Sequence, residues 1–195
     1  MRNGRRSDAK LYQTAFNSRP DTGIYLMNWQ EFVDDAPELA EYAQRLIEQS
    51  GFVFIGTIRK DGSPRISPVE ALIVDGNLYL GMMWESFKAH DLLRDPRCTI
   101  HSSIKDRMAS EGEFKLHGQA VEVKDGTERR QYCDALYQKI GWNPSDSKFH
   151  LFRVEIESAG LFLTNKNERI FKRFRRAEGI KEFRQDVEGH KEAIE

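Results

Sequence analysis

Three Asp-Gly pairs, at 61–62, 75–76 and 125–126, each follow a run rich in β-branched and aromatic residues, and no other feature constrains the fold of this 195-residue chain as strongly. Asp-Gly is favoured in tight turns because both residues tolerate the positive φ that a twisted two-strand connection demands. The first two pairs separate strands expected at 52–58, 65–74 and 77–83, a three-strand meander. Strand character returns at 98–104 and again at 111–124, where Phe114, Leu116, Gly118 and Ala120 occupy alternate positions. A last strand region covers 149–164. Six antiparallel strands in meander order with short helices inserted predict a mainly β, α+β fold, a closed or partly closed barrel, because closure removes exposed edges.

Helical periods fall between the strands. Leu39, Tyr42, Ala43, Leu46 and Ile47 recur at helical spacing after Pro37 and stop at Gly51. Residues 86–93 predict a short helix ending near Pro96, and 127–140 a longer one closed by Gly141. The chain divides into an arm and amphipathic helix (1–50), the barrel (51–165), and a basic segment with a tail (166–195), of which 177–195 is read as a terminal helix or frayed end. The arm is expected to pack on a partner subunit. The basic segment 169–176 interleaves Phe171 and Phe174 with five Arg and Lys residues. That pattern suits an anion or nucleic-acid patch, or a solvated element with two buried phenylalanines. The second reading is preferred because Glu178, Glu182, Asp186 and Glu188 neutralise the tail.

With 30 basic and 31 acidic residues the chain has no global field to attract nucleic acid or an anionic membrane. Nucleic acid is therefore not an expected partner. Cys98 and Cys133 form no CxxC pattern and are expected to be buried thiols of a reducing compartment. No apolar run approaches the roughly 20 residues of a membrane-spanning helix, and no signal-like apolar stretch follows the basic amino terminus. A cytoplasmic protein without membrane contact is the expectation.

The sequence contains no GxSxG, P-loop, GxGxxG or HExxH motif. The histidines lack metal-site spacing, and His101 and His117 are the two placed to face a ligand from a strand. More informative are two segments flanking the 65–83 hairpin. Arg65, Ser67 and Val69 share one strand face, while Ser86 and Lys88 open a helix whose free N–H groups favour an anion. Together they make a candidate phosphate site. The alternative from spacing alone is ordinary surface charge, with Ser86 as a helix cap.

The order Pro64-Arg65-Ile66-Ser67-Pro68-Val69, Ser86-Phe87-Lys88, Asp91-Leu92 and Asp95-Pro96-Arg97 resembles that of the pyridoxamine 5′-phosphate oxidase-like split barrels. That family binds FMN or, in one branch, a 5-deazaflavin coenzyme, so the resemblance implies a six-stranded antiparallel split β-barrel of the FMN-binding type. The resemblance implies that Arg65, Ser86 and Lys88 hold a cofactor phosphate and that Ser67, Pro68, Val69, Glu70, Met82 and Met83 border its ring system. It further implies a homodimer with the cofactor at the interface, where Trp142 is the candidate contributed by the other subunit, and a small-molecule redox substrate. Two departures stand out. Glu70 occupies a position where the oxidase has lysine, so it repels an anion or points elsewhere. The carboxy-terminal Trp and Arg pattern that grips the vitamin substrate is not recognisable in 161–176. The expected function is accordingly an FMN-dependent oxidoreductase. Deazaflavin chemistry on the same fold is the first alternative, and a haem-binding or non-catalytic barrel the second.

Overall fold

Pairing of the third strand with the sixth closes the sheet on itself. The computed structural model describes residues 25–107, 109–145, 147–164, 168–186 and 188–194. Nine strands are described in the order β3-β2-β1-β4-β5-β6-β7-β8-β9: β1 (Phe52–Ile58), β2 (Pro64–Val74), β3 (Asn77–Met83), β4 (Arg97–Ser102), β5 (Glu113–Glu122), β6 (Phe149–Thr164), β7 (Glu168–Arg175), β8 (Gly179–Asp186) and β9 (Lys191–Ile194). The additional antiparallel β3–β6 pairing, Tyr79↔Arg153 through Met83↔Phe149, makes the first six a closed barrel. The expected split barrel is thus present.

Alternation does the sorting. Val53, Ile55, Val69, Ala71, Leu78, Leu80 and Ile100 point inward to a core shared with Phe114, Phe152 and Ile156. Helices α1 (Trp29–Asp35) and α2 (Pro37–Ser50) contribute Trp29, Phe32, Leu39, Ala43 and Ile47 to that core. Local chemistry explains their ends. Asn28 and Glu31 form a reciprocal capping box, Pro37 sits in the first turn of α2, and Gly51 ends it at φ 68. Asp75 and Gly76 both take positive φ in the β2–β3 turn, as the Asp-Gly signal requires. Asp125 serves a helix instead of a hairpin, since its carboxylate caps α4 (Gly126–Ile140) by accepting from the Thr127 and Glu128 N–H groups.

A smaller core lies where α4 covers the outside of β2, β3 and β6, with Leu72, Tyr79, Tyr132, Cys133, Leu136 and Leu151. Tyr79 Oη donates to Glu128 at 2.8 Å and fixes the helix on the barrel. Cys98 and Cys133 are buried free thiols, and burial pushes Cys98 up to about 12.

The carboxy-terminal expectation fails. Residues 179–186 and 191–194 form strands, not a helix or frayed end. Ile180 and Phe183 imitate a helical i,i+3 pair, yet on β8 they face opposite sides and meet Phe174 and Phe171 of β7. Only one of the two phenylalanines of the basic segment is buried: Phe174 packs 5.6 Å from Phe32, whereas Phe171 is 38% exposed. Truncating Phe174 would cost roughly 3–5 kcal/mol. The arm expected to reach a partner lies, up to residue 24, outside the described residues; Met27 and Trp29 are buried in the core of their own chain.

Two glycines of the sheet behave oppositely. At Gly118, beside the bulge between His117 and Gly118, a Cβ would collide with the Glu155 carbonyl, while at Gly160 it would meet nothing nearer than 3.9 Å. Gly118→Ala is therefore expected to lose roughly 1–3 kcal/mol in urea unfolding. Gly160→Ala should leave the midpoint nearly unchanged.

Candidate functional site

The period of two along β2 divides the candidate residues between two environments. Arg65, Ser67 and Val69 lie on the inward-turned face and Pro64, Ile66 and Pro68 on the exposed one. Val69 is buried in the core. Helix α3 (Phe87–Arg94) packs near β1 and β5, presenting its first turn and its Asp91 side toward Arg65.

Asp91 organises this corner. Its buried carboxylate accepts from Arg65 Nε at 2.7 Å, Thr57 Oγ1 at 2.9 Å and Arg94 Nη2 at 3.3 Å. Burial alone would raise the Asp91 pKa, but the bonds from Arg65, Thr57 and Arg94 outweigh it and hold the carboxyl below its usual range. Arg65 is thus fixed through Nε, with its guanidinium 5.3 Å over the Phe87 ring and its remaining N–H groups free of partners among the described residues. Arg94 also donates to the Ile58 carbonyl. A shallow hollow of about 440 Å³ opens here, lined by Arg59, Lys60, Arg65, Phe87, His90 and Arg94 beside Asp61 and Asp91, with Ser86 and Lys88 outside its lining. Arg59, Lys60, Asp91 and Arg94 were not singled out from sequence. Asp91 stood in the quoted motif, but only its bonds show that it positions Arg65.

At the start of α3 two polar groups lack partners among the described residues. Ser86 occupies the N-cap with extended backbone, yet its side chain caps nothing, and its buried Oγ has no hydrogen bond. Lys88, two residues on, is half-buried without an ion-pair or hydrogen-bond partner, and desolvation lowers its pKa. Buried polar atoms are almost always satisfied, so an orphaned hydroxyl beside a desolvated ammonium at a helix N-terminus calls for a ligand atom. The other buried orphan among the described residues, His150 Nε2, belongs to an imidazole stacked 4.4 Å from Trp84 in the same β3–α3 connection.

The remaining candidates separate. Glu70 faces the α4 side, where a Cβ on Gly81 would lie 3.8 Å from its Oε2 and closer still to Tyr132, and burial raises its pKa. It therefore points away from Arg65, which removes the conflict with an anion. Met82 is buried in the barrel core, whereas Met83 is 76% exposed. Trp142 is 53% exposed in the loop after α4, and it does not line the hollow beside α3.

A closed six-stranded antiparallel barrel with short helices inserted between its strands is a split-barrel fold. The family model described as pyridoxamine 5′-phosphate oxidase matches residues 39–162, and the chain belongs to that family. Among solved structures it is similar to a general stress protein 26-related protein of the pyridoxinephosphate oxidase family from Clostridium acetobutylicum, with 17% identity, 75% of this chain and 95% of that one covered, and a TM-score of 0.54. It is also similar to a heme binding protein from Mycobacterium smegmatis (16% identity, 71% and 58% covered, TM-score 0.57) and to Campylobacter jejuni ChuZ (12%, 73% and 61%, 0.61). Comparison with proteins of curated function returns no match. Among the described residues no helix is long and apolar enough to cross a membrane.

Replacing Asp91 with Asn tests its positioning role. The variant is expected to lose roughly 1.5–3 kcal/mol in urea unfolding at pH 7, the usual worth of hydrogen bonds to a charged group. Because the folded pKa of Asp91 is depressed, its contribution is complete above the ordinary carboxylate value of about 4 and is lost as pH falls through the folded value. The gap between wild type and variant should accordingly close below about pH 4.

Proposed function

We propose that this chain binds flavin mononucleotide, with the phosphate at the start of α3, and acts as a flavin-dependent oxidoreductase on a small-molecule substrate. The observation that carries the reading is the pair of unmet groups, Ser86 Oγ and Lys88 Nζ, at the N-terminus of the helix whose Asp91 fixes Arg65. A phosphate supplies acceptor oxygens for Ser86, for Lys88 and for the Arg65 N–H groups not bonded to Asp91. Net neutrality of the chain matters little, because the cations are gathered locally.

When bound, FMN supplies electron transfer through its isoalloxazine ring. The chain binds and orients it. Arg65, held in one rotamer by Asp91, loses little freedom on gripping an oxygen, and Ser86 and Lys88 complete the grip. Ser67, Met83 and Trp142 retain surface to offer the ring, buried Val69 and Met82 support it from within the core, and Pro68 lies on the opposite face of β2. Glu70, on the other face, stays clear of the phosphate.

Riboflavin, which lacks the phosphate, separates this reading from general flavin affinity. Lys88→Ala and Arg65→Ala are each expected to weaken FMN binding about 10- to 150-fold in fluorescence titration while leaving riboflavin binding unaltered. Equal losses for both ligands would move the phosphate elsewhere. An absorption spectrum of the purified protein showing 5-deazaflavin or haem instead of flavin would replace FMN as the cofactor.

The reading includes a homodimer. Phe52, Phe54, Ile66 and Pro68 lie on neighbouring positions of the outer β1–β2 face, where α4 does not reach, and Ile66 is 75% exposed. Such a contiguous apolar patch suits a second copy of the chain. Light scattering should give a dimer at micromolar concentration, and Ile66→Glu should shift it to monomer.

A further inference from the structure

The basic segment left over from the sequence gains a definite geometry in β7. Registration across the sheet places three rows on one outward face. Lys115, Gly160, Arg173 and Lys181 are successive cross-strand neighbours on β5, β6, β7 and β8. On one side runs a row of Phe162, Phe171 and Phe183. On the other runs His117, Ser158 and Arg175. The Phe162 and Phe171 rings stand 4.9 Å apart. The opposite face of β7 is used for folding: Phe174 enters the core and Lys172 pairs with Glu38 and Glu182.

Gly160 is the centre of this pattern. Neither positive φ nor a crowded neighbour demands glycine there, and the missing side chain leaves a hollow of about 380 Å³. Its floor is flat backbone, its wall is aromatic, and its rim carries Lys115, Arg173 and Arg175. The rim is held in place by carboxylates: Glu178, outside the hollow, accepts from Arg173 Nη2 at 3.1 Å and from Arg175 Nη1 at 3.3 Å, and Glu113, itself part of the lining, accepts from Lys115. Each guanidinium keeps unused N–H groups. The His117 ring is fixed by a 3.0 Å hydrogen bond between Nδ1 and Thr99 Oγ1.

We infer that the hollow over Gly160 is a second binding site, for a planar aromatic anion: a ring system lying against Gly160 and Phe162–Phe171, with its carboxylate or phosphate met by Lys115, Arg173 and Arg175. Its lining contains none of Arg65, Ser86 and Lys88 and shares no residue with the hollow beside α3, so it is distinct from the proposed FMN phosphate site. Single-stranded nucleic acid would use the same chemistry, but it needs a continuous cationic track. Here Glu113 and Glu178 interrupt the track, and the recess is confined to one place.

The test uses 2-naphthoate and its uncharged counterpart 2-naphthylmethanol, titrated calorimetrically into the full chain with and without saturating FMN. Saturable naphthoate binding is expected in both conditions, about tenfold or more tighter than the alcohol. Gly160→Val, which fills the floor, and Arg173→Gln, which removes a rim cation, should each weaken naphthoate about tenfold with FMN binding unchanged. Absence of saturable naphthoate binding, equal affinity for the alcohol, wild-type affinity in both variants, or displacement by FMN would overturn the inference. So would an oligothymidylate that binds more tightly than naphthoate and is released by Phe171→Ala, which would assign the face to single-stranded nucleic acid.

Discussion

The register of β3 against β6 governs the molecule. Leu80 opposite Phe152 and Met82 opposite His150 turn the last strand of one meander into the neighbour of the last strand of the next, and no barrel edge is left between them. A slip of one residue would send Leu78, Leu80 and Phe152 outward and bring Tyr79 and Leu151 in, emptying the main core and the α4 core together. Closure also aligns the loop after β3 with the start of β6, so Trp84 stacks on His150 while Ser86 begins α3. The candidate site thus depends on a strand pairing that touches none of its cations.

Around that frame, charge is organised by partners more than by number. The chain is nearly neutral, yet Asp91 draws Arg65 and Arg94 to one end of the barrel and Glu178 collects Arg173, Arg175 and Lys181 at the turn after β7. In both places a carboxylate bonds part of each fork and leaves the rest directed outward. Such preorganisation lowers the entropic cost of gripping an anion. It also explains how a protein with no net field presents two cationic corners.

Much of this was legible in the residues. Strand positions followed from alternation and Asp-Gly turns, and 52–58, 77–83 and 149–164 coincide with β1, β3 and β6. What sequence could not supply was facing. Glu70 looked like a charge conflict until β2 was seen to present it on the side opposite Arg65. Ser86 looked like a helix cap, and its hydroxyl proved unused. Asp91 showed its importance only when Thr57 and Arg65, distant in sequence, converged on it. The carboxy-terminal strands were missed because a charge-dense segment with Ile180 and Phe183 three apart carries the same local signal as a helix, and only pairing with β7 decides between them.

The contact of Phe32 with Phe174 has a consequence for how the chain is made. Its two halves lie about 140 residues apart, and Arg176 reinforces the joint by binding Glu31 and Asp35 of α1. A ribosome working at about 5–20 residues per second delivers Phe32 roughly 7–28 seconds before its partner. Throughout that interval the apolar side of α1 has no complete surface to settle on. The barrel strands emerge in between and can assemble in the order of their synthesis, but the core is sealed only when β7 arrives, so the synthesis of that strand sets when this part of the nascent chain stops exposing sticky surface.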